Sequence, residues 1–150
     1  MPQKILFVCT GNICRSPMAE GLLKKMAFDN HWSLKTQSAG LAAFNGVPAT
    51  QEAIEACREK GIDISAHQSQ PLSKVLVLES ALILTMTNKH KESILRKMPD
   101  LAPKVSLLSD FAGKGVEDVE DPIGQSIEVY RKILTQIEGY LLRAKDKLHS

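Results

Sequence analysis

Short apolar runs and helix-period segments alternate along the chain, with polar, glycine- or proline-bearing stretches between them. Lys4 to Cys9 is a compact β-rich run that stops at a glycine-containing loop. Pro17 to Ala27 then reads as a helix, with Met18, Leu22, Leu23 and Met26 recurring on one face. Leu34 to Ser38 predicts a second strand, and the small residues of Ala39 to Pro48 predict a loop. Thr50 to Lys60 has helical character and ends at Gly61. Ala81 to Thr85 is a continuous apolar run of the buried-strand kind, and Asn88 to Lys97 predicts a helix closed by Pro99. Lys104 to Leu108 supplies a fourth strand, and Ser109 to Gln125 is polar enough to be loop. Ile127, Tyr130, Ile133, Leu134, Ile137, Leu141 and Leu142 trace the apolar face of a long terminal helix.

Strands that alternate with helices imply an α/β fold: a four-stranded parallel sheet with helices on both faces. Neither an internal repeat nor a linker-like tract interrupts the pattern, so a single domain over residues 1–150 is expected. In such sheets ligands bind beyond the carboxyl ends of the strands, and the first strand ends at Cys9. Chemistry is therefore sought there.

Composition narrows the classes of function. With 19 basic and 17 acidic residues the net charge is +2, too small a field to argue for a nucleic-acid or membrane partner. The apolar runs are far shorter than a membrane span, and the start Met1-Pro2-Gln3-Lys4 shows no export signal. The 3 cysteines, Cys9, Cys14 and Cys57, are too few for a disulfide scaffold and lack the second pair that a zinc site would need. A reducing, cytoplasmic setting is expected, with no metal and no cofactor. Cys57 shares an apolar helix face with Ala53 and Ile54 and reads as core. Trp32, Tyr130 and Tyr140 read as packing or surface residues.

The segment Cys9-Thr10-Gly11-Asn12-Ile13-Cys14-Arg15-Ser16 joins the first strand to the first helix. Successive backbone N–H groups in such a turn converge on one point, with the positive end of the helix dipole behind them, and so form an anion site. Gly11 is expected to supply a positive φ as the loop curls around a tetrahedral anion. Arg15 adds a planar, permanently charged fork matched to two phosphate oxygens. Cys9, at the same positive focus, is expected to have a lowered thiol pKa and to act as a nucleophilic thiolate. Hydroxyls of Ser16 and Thr10 are candidates to donate to its sulfur. A cysteine with an arginine six positions on is weak by itself; the strand before it, the glycine within it and the helix after it sharpen the signal.

With these residues on view, the chain resembles the bacterial type of low-molecular-weight protein tyrosine phosphatase. The likeness runs from Cys9–Arg15 through Gln37-Ser38-Ala39-Gly40 and Leu84-Thr85-Met86-Thr87 to Asp121-Pro122-Ile123-Gly124 and the terminal helix. It implies that Cys9 attacks phosphorus to form a phosphocysteine and that Arg15 holds the equatorial oxygens. It implies that Asp121, in the Asp121-Pro122 loop, protonates the leaving oxygen and then activates water. Spacing alone does not single it out among Glu117, Asp118, Glu120 and Asp121; the motif does. The resemblance further implies that Ser16 stabilises the thiolate, and that Asn12, Ser38 and His67 brace the loop. Cys14 matches a loop cysteine that can pair reversibly with the nucleophile. Thr10, Gly11, Asn12, Ile13, Cys14 and Ser16 would surround the phosphate, and Phe44 would form an aromatic wall, because Ile123 stands where many members carry an aromatic residue. Phosphorylated proteins, a tyrosine kinase among the candidates, are the implied partners, and inorganic phosphate is the product.

Other readings stay open. A protein-arginine phosphatase uses the same loop, and the segment from Asp121 into Tyr130 resembles that branch. Members of that branch commonly carry threonine where this chain has Ile13, and a branched alkyl group favours an aromatic ring over a guanidinium. A thioredoxin-coupled arsenate reductase has a similar loop but needs two later cysteines, and none follows Cys57. A non-catalytic phosphate-binding module would leave Cys9 unexplained.

Overall fold

The computed structural model describes residues 3–149. In chain order the strands are β1 (Gln3–Cys9), β2 (Leu34–Gly40), β3 (Leu82–Thr85) and β4 (Val105–Leu107). The helices are α1 (Arg15–Asn30), α2 (Gln51–Arg58), α3 (Lys74–Glu79), α4 (Asn88–Lys97), α5 (Leu108–Phe111), α6 (Ile127–Arg143) and α7 (Lys145–Leu148), with a 3₁₀ turn over Pro99–Lys104. All strand pairs are parallel, in the order β2-β1-β3-β4, as the alternating pattern predicted.

The period-2 geometry of β1 explains its unbroken apolar run, because both faces are covered. Ile5, Phe7 and Cys9 pack with Met18, Leu22 and Leu23 of α1 and with Tyr130, Ile133 and Ile137 of α6. Leu6 and Val8 point the other way, onto Val77 of α3 and Ile94 of α4. Helices thus lie on both faces, and Cys57 is fully buried in the first of the two cores.

Local chemistry accounts for where several elements start. Thr50 accepts from the Ala53 N–H at the start of α2, and Ser73 accepts from the Leu76 N–H at the start of α3. The sequence pattern did not bring out α3, and its Val75 and Leu78 are exposed, so apolar spacing alone was a poor guide there. Other boundaries shift. β2 runs on through Ala39 and Gly40, α1 begins at Arg15 and continues to Asn30, and Ser109–Phe111 belongs to α5 rather than to a loop. Ala81 lies outside β3 and is exposed.

β1 has β2 on one side and β3 on the other, so the chain order reverses across its carboxyl end. That reversal opens a crevice where loops diverge. Cys9 is the last residue of β1, and the segment after α5 returns to the same end, with Val119 N–H donating to Met86 O at 2.9 Å.

Candidate active site

The loop between β1 and α1 is shaped by one side chain more than any other. Asn12 is completely buried and has φ 58°, in the left-handed region. Asparagine tolerates that region better than most residues. Its Nδ2 donates to Ser16 Oγ at 2.8 Å and to Ser38 Oγ at 2.9 Å, and its Oδ1 accepts from Gln70 N–H at 2.9 Å. His67 Nε2 donates to its carbonyl at 2.7 Å. The positive φ expected at Gly11 is therefore found at Asn12, where the three side-chain bonds hold the turn; Gly11 is not among the positive-φ residues.

Glycine is required instead at Gly40. A Cβ there would lie 2.5 Å from the Thr10 carbonyl and 3.0 Å from the Asn12 nitrogen. Leu41 and Ala42 N–H groups donate to the Cys9 and Thr10 carbonyls at 2.9 Å each, so the strand end of β2 is laced to the loop.

The Cys9 sulfur lies inside this frame. Ser16 Oγ is 2.9 Å from it, and the Asn12 N–H donates to it at 3.3 Å. Because Ser16 accepts from Asn12, its own proton is free for the sulfur. Arg15, at the first position of α1, is buried; its Nη1 donates to the Val119 carbonyl at 2.9 Å. Nη2 stands 3.6 Å from Asp121 Oδ2, whose side chain is half exposed. Nε is buried and has no protein partner among the described residues, which leaves the Nε–Nη2 edge of the guanidinium available to two oxygens of an anion. Asp121 Oδ1 accepts from Ile123 N–H at 3.1 Å, so the carboxylate is oriented by its own turn, and the next residue, Pro122, is buried. Among the described residues no cluster suited to a metal ion occurs.

Comparison with known proteins matches residues 4–149 to the family described as low molecular weight phosphotyrosine protein phosphatase. The chain belongs to that family. It is 38% identical to a protein-arginine-phosphatase of Geobacillus stearothermophilus, over 100% of this chain and 99% of the relative. A low molecular weight protein tyrosine phosphatase from T. tengcongensis has a similar structure, with TM-score 0.92 and 38% identity over 97% of this chain and 99% of the other. The YwlE arginine phosphatase, solved as a mutant with a phosphorylated active site serine, superposes with TM-score 0.93 at 37% identity over 97% of this chain and 95% of the other.

Within this family frame the structure brings together Cys9, Asn12, Arg15, Ser16, Ser38, His67 and Asp121. Thr10 departs from its expected contact. Its hydroxyl is 2.9 Å from His90 Nε2, so the bond to Cys9 sulfur is made by Ser16 and the Asn12 N–H instead. Phe44 is 79% exposed on the loop that follows the laced residues Leu41 and Ala42, and Ile123 is half exposed on the acid loop. Ile13 is half-buried and packs against the core.

Three contacts were not legible in the sequence. His90 is buried against Thr10, Glu20 accepts from Ser38 Oγ at 2.5 Å, and Tyr130 reaches Cys14. Thr87 and His90 form a reciprocal cap at the start of α4, with histidine where a capping box ordinarily has glutamate or glutamine. Nothing in the spacing pointed to Glu20 or Tyr130, because the packing of α1 on β2 and of α6 on the loop brings them to partners 18 and 116 residues away.

Proposed function

We propose that this chain is a protein-tyrosine phosphatase that works through a phosphocysteine intermediate, its phosphatase domain spanning the chain. The observation that carries the reading is the Arg15–Asp121 approach at 3.6 Å, which sets a carboxylate beside an anion-binding loop that holds a hydrogen-bonded cysteine. Cys9 Sγ, as the thiolate, attacks phosphorus; the S–P bond forms as the P–O bond to the tyrosine ring breaks, and Asp121 gives its proton to the leaving oxygen. Water then attacks phosphorus, Asp121 takes its proton, and the S–P bond breaks to release inorganic phosphate. Arg15 and the loop N–H groups stabilise the equatorial oxygens throughout, with Thr10, Gly11, Asn12, Ile13, Cys14 and Ser16 around the phosphate. Phe44 supplies an aromatic wall. Three free cysteines suit a reducing cytoplasm, and phosphorylated proteins, a tyrosine kinase among them, are the substrates.

The full-length likeness to arginine phosphatases supports a second reading with the same chemistry. Ile13 argues against it, because a branched alkyl group offers a guanidinium no polar contact. Turnover of phosphotyrosine and phosphoarginine peptides, compared side by side, tests the assignment; a large preference for phosphoarginine overturns it. Cys9→Ser should abolish p-nitrophenyl phosphate hydrolysis.

A further inference from the structure

His90 is buried on α4, and the chemistry just described does not use it. Its ring joins two parts of the site. Nδ1 accepts from the Thr87 N–H at 3.2 Å, and Nε2 lies 2.9 Å from Thr10 Oγ1. The first bond decides the second: an imidazole whose Nδ1 accepts carries its proton on Nε2, so His90 donates and Thr10 accepts. Burial, and then the nearby Arg15 guanidinium, lower the His90 pKa to about 4, while Asp118 and Asp121 pull it the other way. The ring is therefore uncharged at neutral pH. Thr10 directly follows the nucleophile and is exposed. With its oxygen occupied by His90, its own proton is left to turn toward the cleft.

The turn before α4 is also tied to the acid segment. Asn88 N–H donates to Asp118 Oδ1 and Val119 N–H to Met86 O, each at 2.9 Å, while the Val119 carbonyl holds Arg15. Met86 N–H in turn donates to Val8 O at 3.1 Å, one residue before the nucleophile. The turn thus contacts both sides of the crevice.

We propose that His90 is a positioning residue for the phosphate loop: its Nε2–H fixes the Thr10 hydroxyl so that the hydroxyl proton is presented to a phosphoryl oxygen of the bound substrate. The inference rests on the reading of the loop as a phosphate site.

Two substitutions separate this role from helix capping. His90→Asn keeps a side-chain acceptor for the Thr87 N–H but is too short to reach Thr10; His90→Gln carries an amide donor out to the Nε2 position. His90→Asn should lower kcat/KM for p-nitrophenyl phosphate about tenfold and weaken inorganic phosphate binding, read by calorimetry, by a similar factor. His90→Gln should recover most of both, and in a Thr10→Val background His90→Asn should add little. Equal losses in both backgrounds, or a lower Tm with unchanged phosphate binding and kinetics, would reduce His90 to a helix cap and overturn the proposal. If the native chain hydrolyses no aryl phosphate, the phosphatase reading fails while the phosphate-binding arm still decides this one. Ring ¹⁵N shifts of the native chain give a further test that needs no variant: Nε2–H is expected, and Nδ1–H overturns the inference.

Discussion

Cys14 Sγ lies 3.3 Å from the Tyr130 hydroxyl, which ties the phosphate loop to the terminal helix across the first core. Thr50 Oγ1 donates to the same phenol oxygen at 3.2 Å, which leaves the phenol proton for the sulfur. Burial pushes the Cys14 thiol upward from its ordinary pKa, and burial pushes the Tyr130 phenol upward as well. Both groups are thus protonated at neutral pH, which makes the second thiol of the loop a weak nucleophile there. Iodoacetamide at pH 7 should label Cys9 and spare Cys14, as read by peptide mass spectrometry; equal labelling would contradict the argument. Tyr130→Phe leaves the sulfur and Thr50 without that partner, and urea unfolding should register a loss of about 1–2 kcal/mol.

For Asp121→Ala the expected loss depends on the leaving group. Substrates with poor leaving groups should slow by about 10²-fold or more, because they need the proton most, while p-nitrophenyl phosphate should slow less. A uniform loss across a series of aryl phosphates would remove the general-acid role and leave Asp121 only as a partner of Arg15.

Asn12 combines a positive φ with three buried side-chain bonds, and two substitutions distinguish these terms. Asn12→Gly keeps the backbone conformation and loses only the bonds. Asn12→Ala loses the bonds and adds the left-handed penalty of about 1–2 kcal/mol, so it should be the less stable of the two by roughly that amount in urea unfolding. Equal stabilities would mean that the turn rearranges. Both variants should lose phosphatase activity, because Ser16, which holds the Cys9 sulfur, loses the amide that orients it.

Gly40→Ala tests the lacing between β2 and the loop. The added methyl meets backbone rather than a flexible side-chain end, so the loop must move for it to fit. The expected result is weaker inorganic phosphate binding together with a lower Tm, measured by calorimetry and thermal unfolding; native phosphate binding would show that the loop has slack.

His90 makes stability depend on pH in a defined direction. The folded chain resists protonating it until about pH 4, whereas an exposed imidazole takes up its proton near pH 6.5. Between those values the unfolded chain binds more protons, so this contribution is fully present above pH 6.5 and is lost as pH falls toward 4. At most about 3 kcal/mol is at stake. Urea titrations from pH 7 to pH 4 should show the decline, and His90→Asn should flatten it; an unchanged slope in the variant would assign the decline to other groups.

How much of this was legible in the chain depends on the range of the forces involved. The alternation of apolar runs with helix-period segments determined the parallel sheet and its two helical layers, because burial on both faces of β1 demands that pattern. The presence of an anion-binding loop from Cys9 to Ser16 was equally legible, since a strand, a short turn and a helix start are local features that bring backbone N–H groups to one end of the sheet. Short elements such as α3 escaped notice because their helical state owes as much to a cap and to neighbours as to spacing.

What the tertiary structure alone decided is which side chains complete the loop. The motif placed Asp121 near Arg15, yet only folding shows that Asn12 rather than Gly11 takes the strained conformation, and that Thr10 turns to His90 rather than to the sulfur. The glycine itself imposed no such turn, because the φ of a residue in a tight loop follows the hydrogen bonds around it. Those bonds come from Ser38 on β2, from His67 and Gln70, from His90 on α4 and from Tyr130 on α6, and such distant partners leave no periodic trace in the sequence.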